Sequence, residues 1–190
     1  CQMVPGLRMA APRDEDTLRE ELREAVGTDD APTVVRYRKG QLPAPMPALR
    51  RSGPVDVLFD EAGASTVLIV ATGATVPDAL RAARALAADG VGARVVDPRW
   101  IIPVPGELVG LAQGADAVVS VEDGGLSGGF GWALRDALAP VPVVCLGVPK
   151  EFPAHGDRDD LIARFGYDAV GIERAARVAL GRLAPQKAGV

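Results

Sequence analysis

Residues 66–71 read TVLIVA, and they are followed by Thr72-Gly73 and by a helical pattern over residues 77–88. A short, unbroken apolar run is typical of a strand that is covered on both faces of a parallel sheet. Pro77 suits the first turn of a helix, and Gly90 suits the cap after its last turn. The segment therefore predicts one strand–helix unit of an α/β sheet.

Further strands and helices alternate on either side of this unit. The predicted strands are residues 56–59, 66–71, 93–96, 117–121 and 141–146, and helices are predicted within residues 77–88, 103–113, 131–138, 157–165 and 168–183. Apolar strands that alternate with helices of about ten residues are the pattern of βαβ units. The predicted fold class of residues 55–190 is therefore α/β, with a mostly parallel five-stranded sheet and flanking helices.

Residues 1–40 are expected to be the remnant of a preceding α/β domain. They supply a strand at residues 7–11, a helix at residues 17–26 and a strand at residues 33–37. Two strands and one helix are too few to close a sheet over a core of their own. After them, residues 41–54 contain four prolines and are predicted to form an extended linker.

The helix of this N-terminal segment has a cap and an apolar face. Asp14 or Asp16 can accept hydrogen bonds from the first turn of the helix. The apolar residues that fall on one face are Leu18, Leu22, Ala25 and Val26. The segment thus has local signals for helix formation even though it lacks a core.

Composition excludes several classes of function. The formal net charge of −4 disfavours nucleic acid as a partner, because phosphate neutralisation needs a basic face. No apolar run reaches the ~18 residues that a membrane-spanning helix needs, so no membrane association is expected. Two cysteines cannot make a disulfide framework, and Cys145 is predicted to be a buried, reduced thiol in a cytoplasmic protein. The chain opens with Cys-Gln-Met and not with an initiator methionine, so it is expected to be a piece of a longer protein.

Few residues have the spacing of a catalytic or metal site. The single histidine, His155, is predicted to be an exposed loop residue, and no His, Cys or carboxylate cluster has metal-ligand spacing. Glu122 and Asp123 follow the strand at residues 117–121, but adjacent strand residues point to opposite faces. Helix capping or a domain contact is therefore favoured over an acid/base pair. The glycines of residues 124–131 do not match GxGxxG, and we expect them to allow close packing and not to bind a nucleotide.

Three cations lie within four residues at the end of the strand at residues 33–37. Arg36, Arg38 and Lys39 are followed by Gly40. Such a group could hold a phosphate or a carboxylate, and it could equally be a solvated strand end. Spacing alone leaves both interpretations open.

Several motifs, taken in order, resemble the 1-deoxyxylulose-5-phosphate synthase family of the transketolase superfamily. VRYRKG at residues 35–40 resembles the family segment R-[YF]-P-[RK]-G, and AAPRD at residues 10–14 precedes it at the right distance. The further matches are ATG at 71–73, VVDPRW at 95–100 with Pro103, VSVED at 119–123 with GGFG at 128–131, and GVP at 147–149. Arg38 stands where the family has proline, which would fix φ and remove a donor. The likeness covers essentially the whole chain, and it implies the C-terminal portion of such an enzyme.

The resemblance implies a fold and an activity for the intact protein. Residues 1–40 would end the pyrimidine-binding domain, residues 41–54 would be the linker, and residues 55–190 would be the transketolase C-terminal domain. Such enzymes use thiamine diphosphate and Mg²⁺ to condense pyruvate with glyceraldehyde 3-phosphate and release CO₂, for isoprenoid and thiamine synthesis. The metal motif, the glutamate that activates the cofactor and the active-site histidines have no match in this chain. The resemblance therefore implies no catalytic, cofactor or metal residue here, and no activity or cofactor binding by the chain alone.

One substrate contact and two partners follow from the same resemblance. Lys39 matches the Arg or Lys of the family that meets the sugar phosphate, and Arg36 is the second candidate. The expected partners are the upstream domains of the same enzyme and a second copy in a cytoplasmic homodimer. Two alternatives stay open: a non-enzymatic interaction module with a transketolase C-terminal fold, and the β-subunit tail of a 2-oxo-acid dehydrogenase.

Overall fold

The computed structural model describes residues 3–41 and 43–181. The strands among these residues are β1 (Arg8–Ala10), β2 (Thr33–Val35), β3 (Arg50–Ser52), β4 (Val55–Glu61), β5 (Thr66–Ala71), β6 (Gly92–Asp97), β7 (Trp100–Ile102), β8 (Ala117–Gly125) and β9 (Val143–Val148). The helices are α1 (Glu15–Val26), α2 (Val76–Ala88), α3 (Glu107–Gln113), α4 (Phe130–Ala137), α5 (Arg158–Phe165) and α6 (Ala169–Ala179). The α/β class predicted from the sequence is confirmed.

The main sheet has six strands, not the five predicted, in the order β3-β4-β6-β5-β8-β9. The central strands β6, β5, β8 and β9 run parallel, whereas β4 joins β6 antiparallel and β3 joins β4 antiparallel. The additional strand β3 comes from the end of the predicted linker. It forms because a two-residue turn, with Gly53 at φ +57°, folds it back on β4.

A second, three-stranded sheet has the order β2-β1-β7. It pairs two strands of the N-terminal segment with β7, a strand that the sequence did not predict. Met9 lies opposite Ile102 and Ala10 lies opposite Trp100, so residues far apart in sequence complete one sheet. The N-terminal segment is therefore packed on the C-terminal part of the chain. The division of the chain at residues 40 and 54 remains a prediction.

Helices cover both faces of the main sheet, and alternate residues of β5 point into two separate cores. Val67 and Ile69 lie in the core under α2 and α6, with Leu86 and Ile172. Leu68 and Val70 lie in the core under α3 and α4, and Leu7 and Met9 of the N-terminal segment join that core, as do Leu108 and Leu134. The unbroken apolar run is thus explained by burial on both faces.

Helix α1 does not bury the apolar face that its sequence suggests. Its buried residues are Thr17 and Glu21, while Leu22 is 43% and Val26 is 86% exposed. Asp14 is the cap, since its Oδ1 accepts the Thr17 N–H at 2.9 Å. The cap was therefore predictable, whereas the buried side of the helix was not.

Three smaller expectations can be compared with the structure. Cys145 is half-buried and not fully buried, because β9 is the outermost strand of the sheet. His155 is exposed in a loop, as predicted. Within residues 3–41 and 43–181, none of the helices is long and apolar enough to span a bilayer.

Candidate functional site

The carboxyl ends of β5 and β8 form the most distinctive crevice of the sheet. The chain leaves β5 through α2 toward β6 on one side, while β8 lies on the other side of β5. Such a reversal of direction in a parallel sheet opens a crevice in which ligands of α/β proteins often bind. Thr72 follows β5 here, and Glu122 lies near the end of β8.

A cavity of about 210 Å³ opens at this crevice. Thr72, Glu122 and Phe130 line it from the main sheet and α4, and Met9 and Arg36 line it from the N-terminal segment. The crevice is therefore walled by both parts of the chain.

Glu122 caps helix α4 from within the crevice. The side chain is buried, and its carboxylate accepts the Phe130 N–H at 3.0 Å and the Gly131 N–H at 2.9 Å. Burial raises the pKa of Glu122, and the two backbone N–H groups partly oppose that rise. The capping role proposed from the sequence is confirmed for this residue.

Two glycines of the 124–131 segment are required by this packing. A Cβ on Gly129 would lie 2.5 Å from Glu122 Oε1 and would also clash with the Gly125 carbonyl oxygen. A Cβ on Gly131 would lie 2.6 Å from Ser120 Oγ and 3.1 Å from Cys145 Sγ. The geometry agrees with the expectation that the glycines allow close approach of α4 to the sheet.

Asp123 connects the N-terminal segment to the C-terminal helices. Its carboxylate lies 3.0 Å from the Arg158 guanidinium, which is at the start of α5. Its backbone carbonyl accepts a hydrogen bond from the Arg36 guanidinium. This residue therefore joins the N-terminal segment to α5.

The three cations after β2 have different environments. Arg36 donates to the Asp123 carbonyl, and half-buried Arg38 donates to the Gln41 carbonyl at 2.7 Å, closing the turn that contains Lys39. Lys39 is exposed, and no ion pair joins its ammonium group to any described residue. Arg36 and Arg38 thus each hold a carbonyl oxygen, whereas the Lys39 ammonium group makes no ion pair with a described residue.

The turn lies over the carboxyl end of β5. Arg36, Arg38 and Pro43 share a shallow cleft with Gly73 and Ala74. The cleft places the cationic turn beside the start of α2. The structure thus brings the predicted anion-binding segment to the same edge of the sheet as Glu122.

A buried ionic cluster holds the segment in place, and sequence reasoning missed it. The Arg13 side chain is 4% exposed, and its Nη1 lies 2.8 Å from Asp56 Oδ2 and 2.9 Å from Asp97 Oδ2. Complete burial raises the pKa of Asp97 to about 6, even though Arg13 opposes this. Burial also acts upward on Asp56, but hydrogen bonds from Arg51 and Arg13 outweigh it and lower the pKa of that residue.

A second set of contacts joins α1 to the strand end after Asp97. Arg99 has a φ of +59°, an uncommon value for a residue other than glycine, and its Nη2 lies 2.6 Å from Glu24 Oε1. The Trp100 indole N–H donates to Glu24 Oε2 at 2.5 Å. Strained backbone is retained where surrounding contacts fix it, and here those contacts are with α1.

Comparison with known protein families assigns most of the main sheet to one family. The model of the transketolase C-terminal domain matches residues 57–172. The chain belongs to the transketolase C-terminal domain family. The transketolase C-terminal domain predicted from the motifs is thereby confirmed, and the matched range contains β5, β8, Glu122 and the glycine segment.

Curated relatives extend the likeness to the N-terminal segment. The 1-deoxy-D-xylulose-5-phosphate synthase 1 of Kitasatospora griseola is 47% identical over 188 residues, which is 97% of this chain and 29% of that protein. The synthase of Saccharopolyspora erythraea is 45% identical over 193 residues, or 98% of this chain and 30% of that protein. The chain therefore spans about 30% of the length of these relatives.

A solved structure has the same arrangement of this transketolase domain and segment. The chain described as "Split gene transketolase, inactive beta4 tetramer" superimposes with a TM-score of 0.78 at 30% identity. The match covers 95% of this chain and 59% of that chain. The transketolase fold assignment therefore holds for the N-terminal segment as well as for the main sheet.

The start of α4 is not open to the diphosphate of a cofactor. The first N–H groups of α4, which could hold a diphosphate, already donate to Glu122, and that carboxylate would repel a second anion. Within the part of the chain that the structure describes, no three His, Cys, Asp or Glu side chains are grouped as metal ligands. No step of the cofactor chemistry is therefore assigned to these residues.

Proposed function

We propose that this chain is the C-terminal portion of a thiamine-diphosphate-dependent 1-deoxy-D-xylulose-5-phosphate synthase. The intact enzyme would condense pyruvate with glyceraldehyde 3-phosphate and release CO₂, for isoprenoid-precursor and thiamine synthesis. The observation that carries the proposal is 47% identity to such a synthase over 97% of the chain. An alignment of that extent reaches beyond the matched domain range of 57–172 into the N-terminal segment, which contains the cationic turn and Arg13.

In the intact enzyme, this portion would assemble domains and contribute one substrate contact. Catalysis, Mg²⁺ and thiamine diphosphate would belong to upstream residues, and the enzyme would be a cytoplasmic homodimer. Support for inactivity and self-association of the isolated chain comes from the split-gene transketolase chain, which is described as an inactive tetramer. We expect this chain to behave in the same way when it is separated from its upstream domains.

The test of this assignment compares the isolated chain with the intact enzyme. Calorimetric titration with thiamine diphosphate and Mg²⁺, and an assay of CO₂ release from pyruvate, should give no signal for the chain alone and clear signals for the intact protein. Micromolar cofactor binding by the chain alone would contradict the proposal. An intact protein without CO₂ release would favour the non-enzymatic interaction module instead.

Lys39 is proposed to contact the phosphate of glyceraldehyde 3-phosphate. Its exposed ammonium group follows two arginines, Arg36 and Arg38, which each donate to a backbone carbonyl. Arg36 is the weaker candidate, because its guanidinium is already used on Asp123. The proposal requires a ligand with a dianionic group, which pyruvate lacks.

Kinetics of the intact enzyme test this role. A lost hydrogen bond to a charged group is worth about 1.5–3 kcal/mol, so Lys39→Ala should raise KM for glyceraldehyde 3-phosphate about ten- to a hundredfold. KM for pyruvate should stay close to that of the unmodified enzyme. Lys150→Ala, which removes another exposed lysine, is the matched control and should change neither constant. Equal increases for both substrates would rule out a phosphate contact.

A further inference from the structure

Helix α1 contains a fully buried carboxyl group without a hydrogen-bond partner. Glu21 is 0% exposed, and neither of its side-chain oxygens has a partner among the described residues. The nearest cationic atom is Arg99 Nε, 3.9 Å from Oε1, and this N–H is also without a partner. A buried carboxylate in this position would lack the hydrogen bonds that normally compensate for loss of water.

The charges around Glu21 do not favour its ionised form. Asp97 and Glu24 face it as further acids, from β6 and from the next turn of α1. Arg99 and Arg13 are the facing cations, but each is already engaged by other carboxylates. Arg13 in particular shares one nitrogen between the carboxylates of Asp97 and Asp56 on β4. An additional negative charge at this position would therefore be poorly compensated.

Burial, together with the nearby Asp97, raises the pKa of Glu21 to about 9. Arg99 and Arg13 act in the opposite direction but do not outweigh these effects. At neutral pH the residue is thus an uncharged acid beneath α1. Glu21 binds this proton only while α1 is packed on the sheet, which we call the seated helix, because a solvated glutamate loses its proton at a much lower pH.

The same helix fixes the N-terminal segment to the rest of the chain. Arg13, just before α1, joins Asp56 and Asp97, and Glu24, near its end, joins Arg99 and Trp100. Glu21 lies between these two attachments. After α1 the chain continues through β2 to the turn with the three cations.

We propose that Glu21 is a proton-operated latch, which holds α1 on the sheet as a neutral acid and releases the helix when it ionises. The ligand is a proton on the Glu21 carboxyl group, and the segment that contains α1 moves when this proton is lost. This inference concerns the chain itself and does not depend on the proposed synthase activity. In the intact protein, release would also displace the cationic turn.

The sign of the pH effect follows from linkage. Between the ordinary pKa of glutamate and a pKa of about 9, the seated helix binds one more proton than the released helix. Each unit of rising pH in that window therefore favours release by about tenfold. Asp97, with a pKa raised to about 6, also favours release of the helix as the pH rises, but only below about pH 6. Asp56 has a lowered pKa, so its contribution to the packing of α1 is lost only as the pH falls into the acid range. Measurements between about pH 6.5 and 8.5 consequently isolate Glu21.

Hydrogen exchange of the full 190-residue chain tests the latch. After correction for intrinsic exchange rates, protection of α1 should fall about a hundredfold between about pH 6.5 and 8.5, relative to β5. Glu21→Gln removes the titrating group and should abolish that dependence, whereas Glu15→Gln, on the exposed side of the same helix, should retain it. Wild-type protection that does not change with pH, or an unchanged dependence in Glu21→Gln, would overturn the proposal.

Two further measurements keep the test decisive if Glu21→Gln does not fold. Glu21→Met places a neutral, apolar side chain of similar length in the site and should also remove the pH dependence. In the wild-type protein, infrared spectroscopy should detect a protonated carboxyl band at pH 7.5 that disappears over the same alkaline range as α1 protection. Absence of that band at pH 7.5 would show that Glu21 is ionised and would overturn the latch.

Discussion

Replacement of Gly129 by alanine should break the capping of α4. The new Cβ would meet Glu122 Oε1 at 2.5 Å, and it would also clash with Oε2 and with the Gly125 carbonyl oxygen. The carbonyl belongs to the backbone and cannot rotate away. The backbone at residue 129 must therefore shift away from this carbonyl and the Glu122 carboxylate must leave its position, so its hydrogen bonds with Phe130 and Gly131 are lost.

The expected magnitude follows from those two hydrogen bonds. A hydrogen bond to a charged group contributes about 1.5–3 kcal/mol, and a buried carboxylate without partners is penalised further. Some relaxation of α4 will recover part of this loss. We therefore expect the free energy of unfolding to fall by about 3–5 kcal/mol, a large share of the roughly 5–15 kcal/mol of a typical domain.

Urea unfolding followed by circular dichroism measures this difference. Gly125→Ala is the matched control, because a Cβ on Gly125 would have no atom within 4 Å. It should change the free energy of unfolding by about 0.5 kcal/mol or less. NAD and ATP should leave the unfolding midpoint of the unmodified chain unchanged, since Glu122 occupies the start of α4. Equal effects of Gly129→Ala and Gly125→Ala, or a saturable nucleotide shift, would refute the packing argument.

Two other perturbations address the contact between the N-terminal segment and the sheet. Arg13→Leu leaves Asp97 buried without its cation and should lower the free energy of unfolding by about 3–5 kcal/mol. Arg19→Ala, on the exposed side of α1, is the control and should lower it by about 0.5 kcal/mol or less in the same urea titration. A chain that begins at Ser52 should still fold by circular dichroism, because the core under α2 and α6 keeps all its buried residues and the core under α3 and α4 loses only Leu7, Met9 and Ala11. Its midpoint should be lower, because Asp56 also loses Arg13. A random-coil spectrum for the shortened chain would show that the C-terminal part cannot fold independently.

Local signals were sufficient for most elements of the main sheet. The apolar runs at β5 and β8 predicted buried strands because side chains of a strand covered on both faces must all be apolar. A cap at Asp14 or Asp16 was predictable because the requirement for an acceptor before a helix is local, and the structure decides for Asp14. The ordered motifs also identified the family, since they are properties of the sequence alone.

The sequence could not predict β7 or the sixth strand of the main sheet. Trp100–Ile102 becomes a strand only because β1 is beside it, and β1 lies about ninety residues earlier in the chain. Arg50–Ser52 lies in a proline-rich stretch and becomes a strand through pairing with Val55–Glu61. Short strands of this kind are stabilised by tertiary pairing and have little local signal.

The sequence by itself thus determined the family, the parallel core of the sheet and the cationic turn at Lys39. Only the tertiary structure decided that Arg13 meets Asp56 and Asp97, which lie 43 and 84 positions away. It also decided that Glu21, and not Leu22, is the buried residue of α1. Periodicity describes which residues share a face of a helix, but the burial of that face depends on the surface against which it packs.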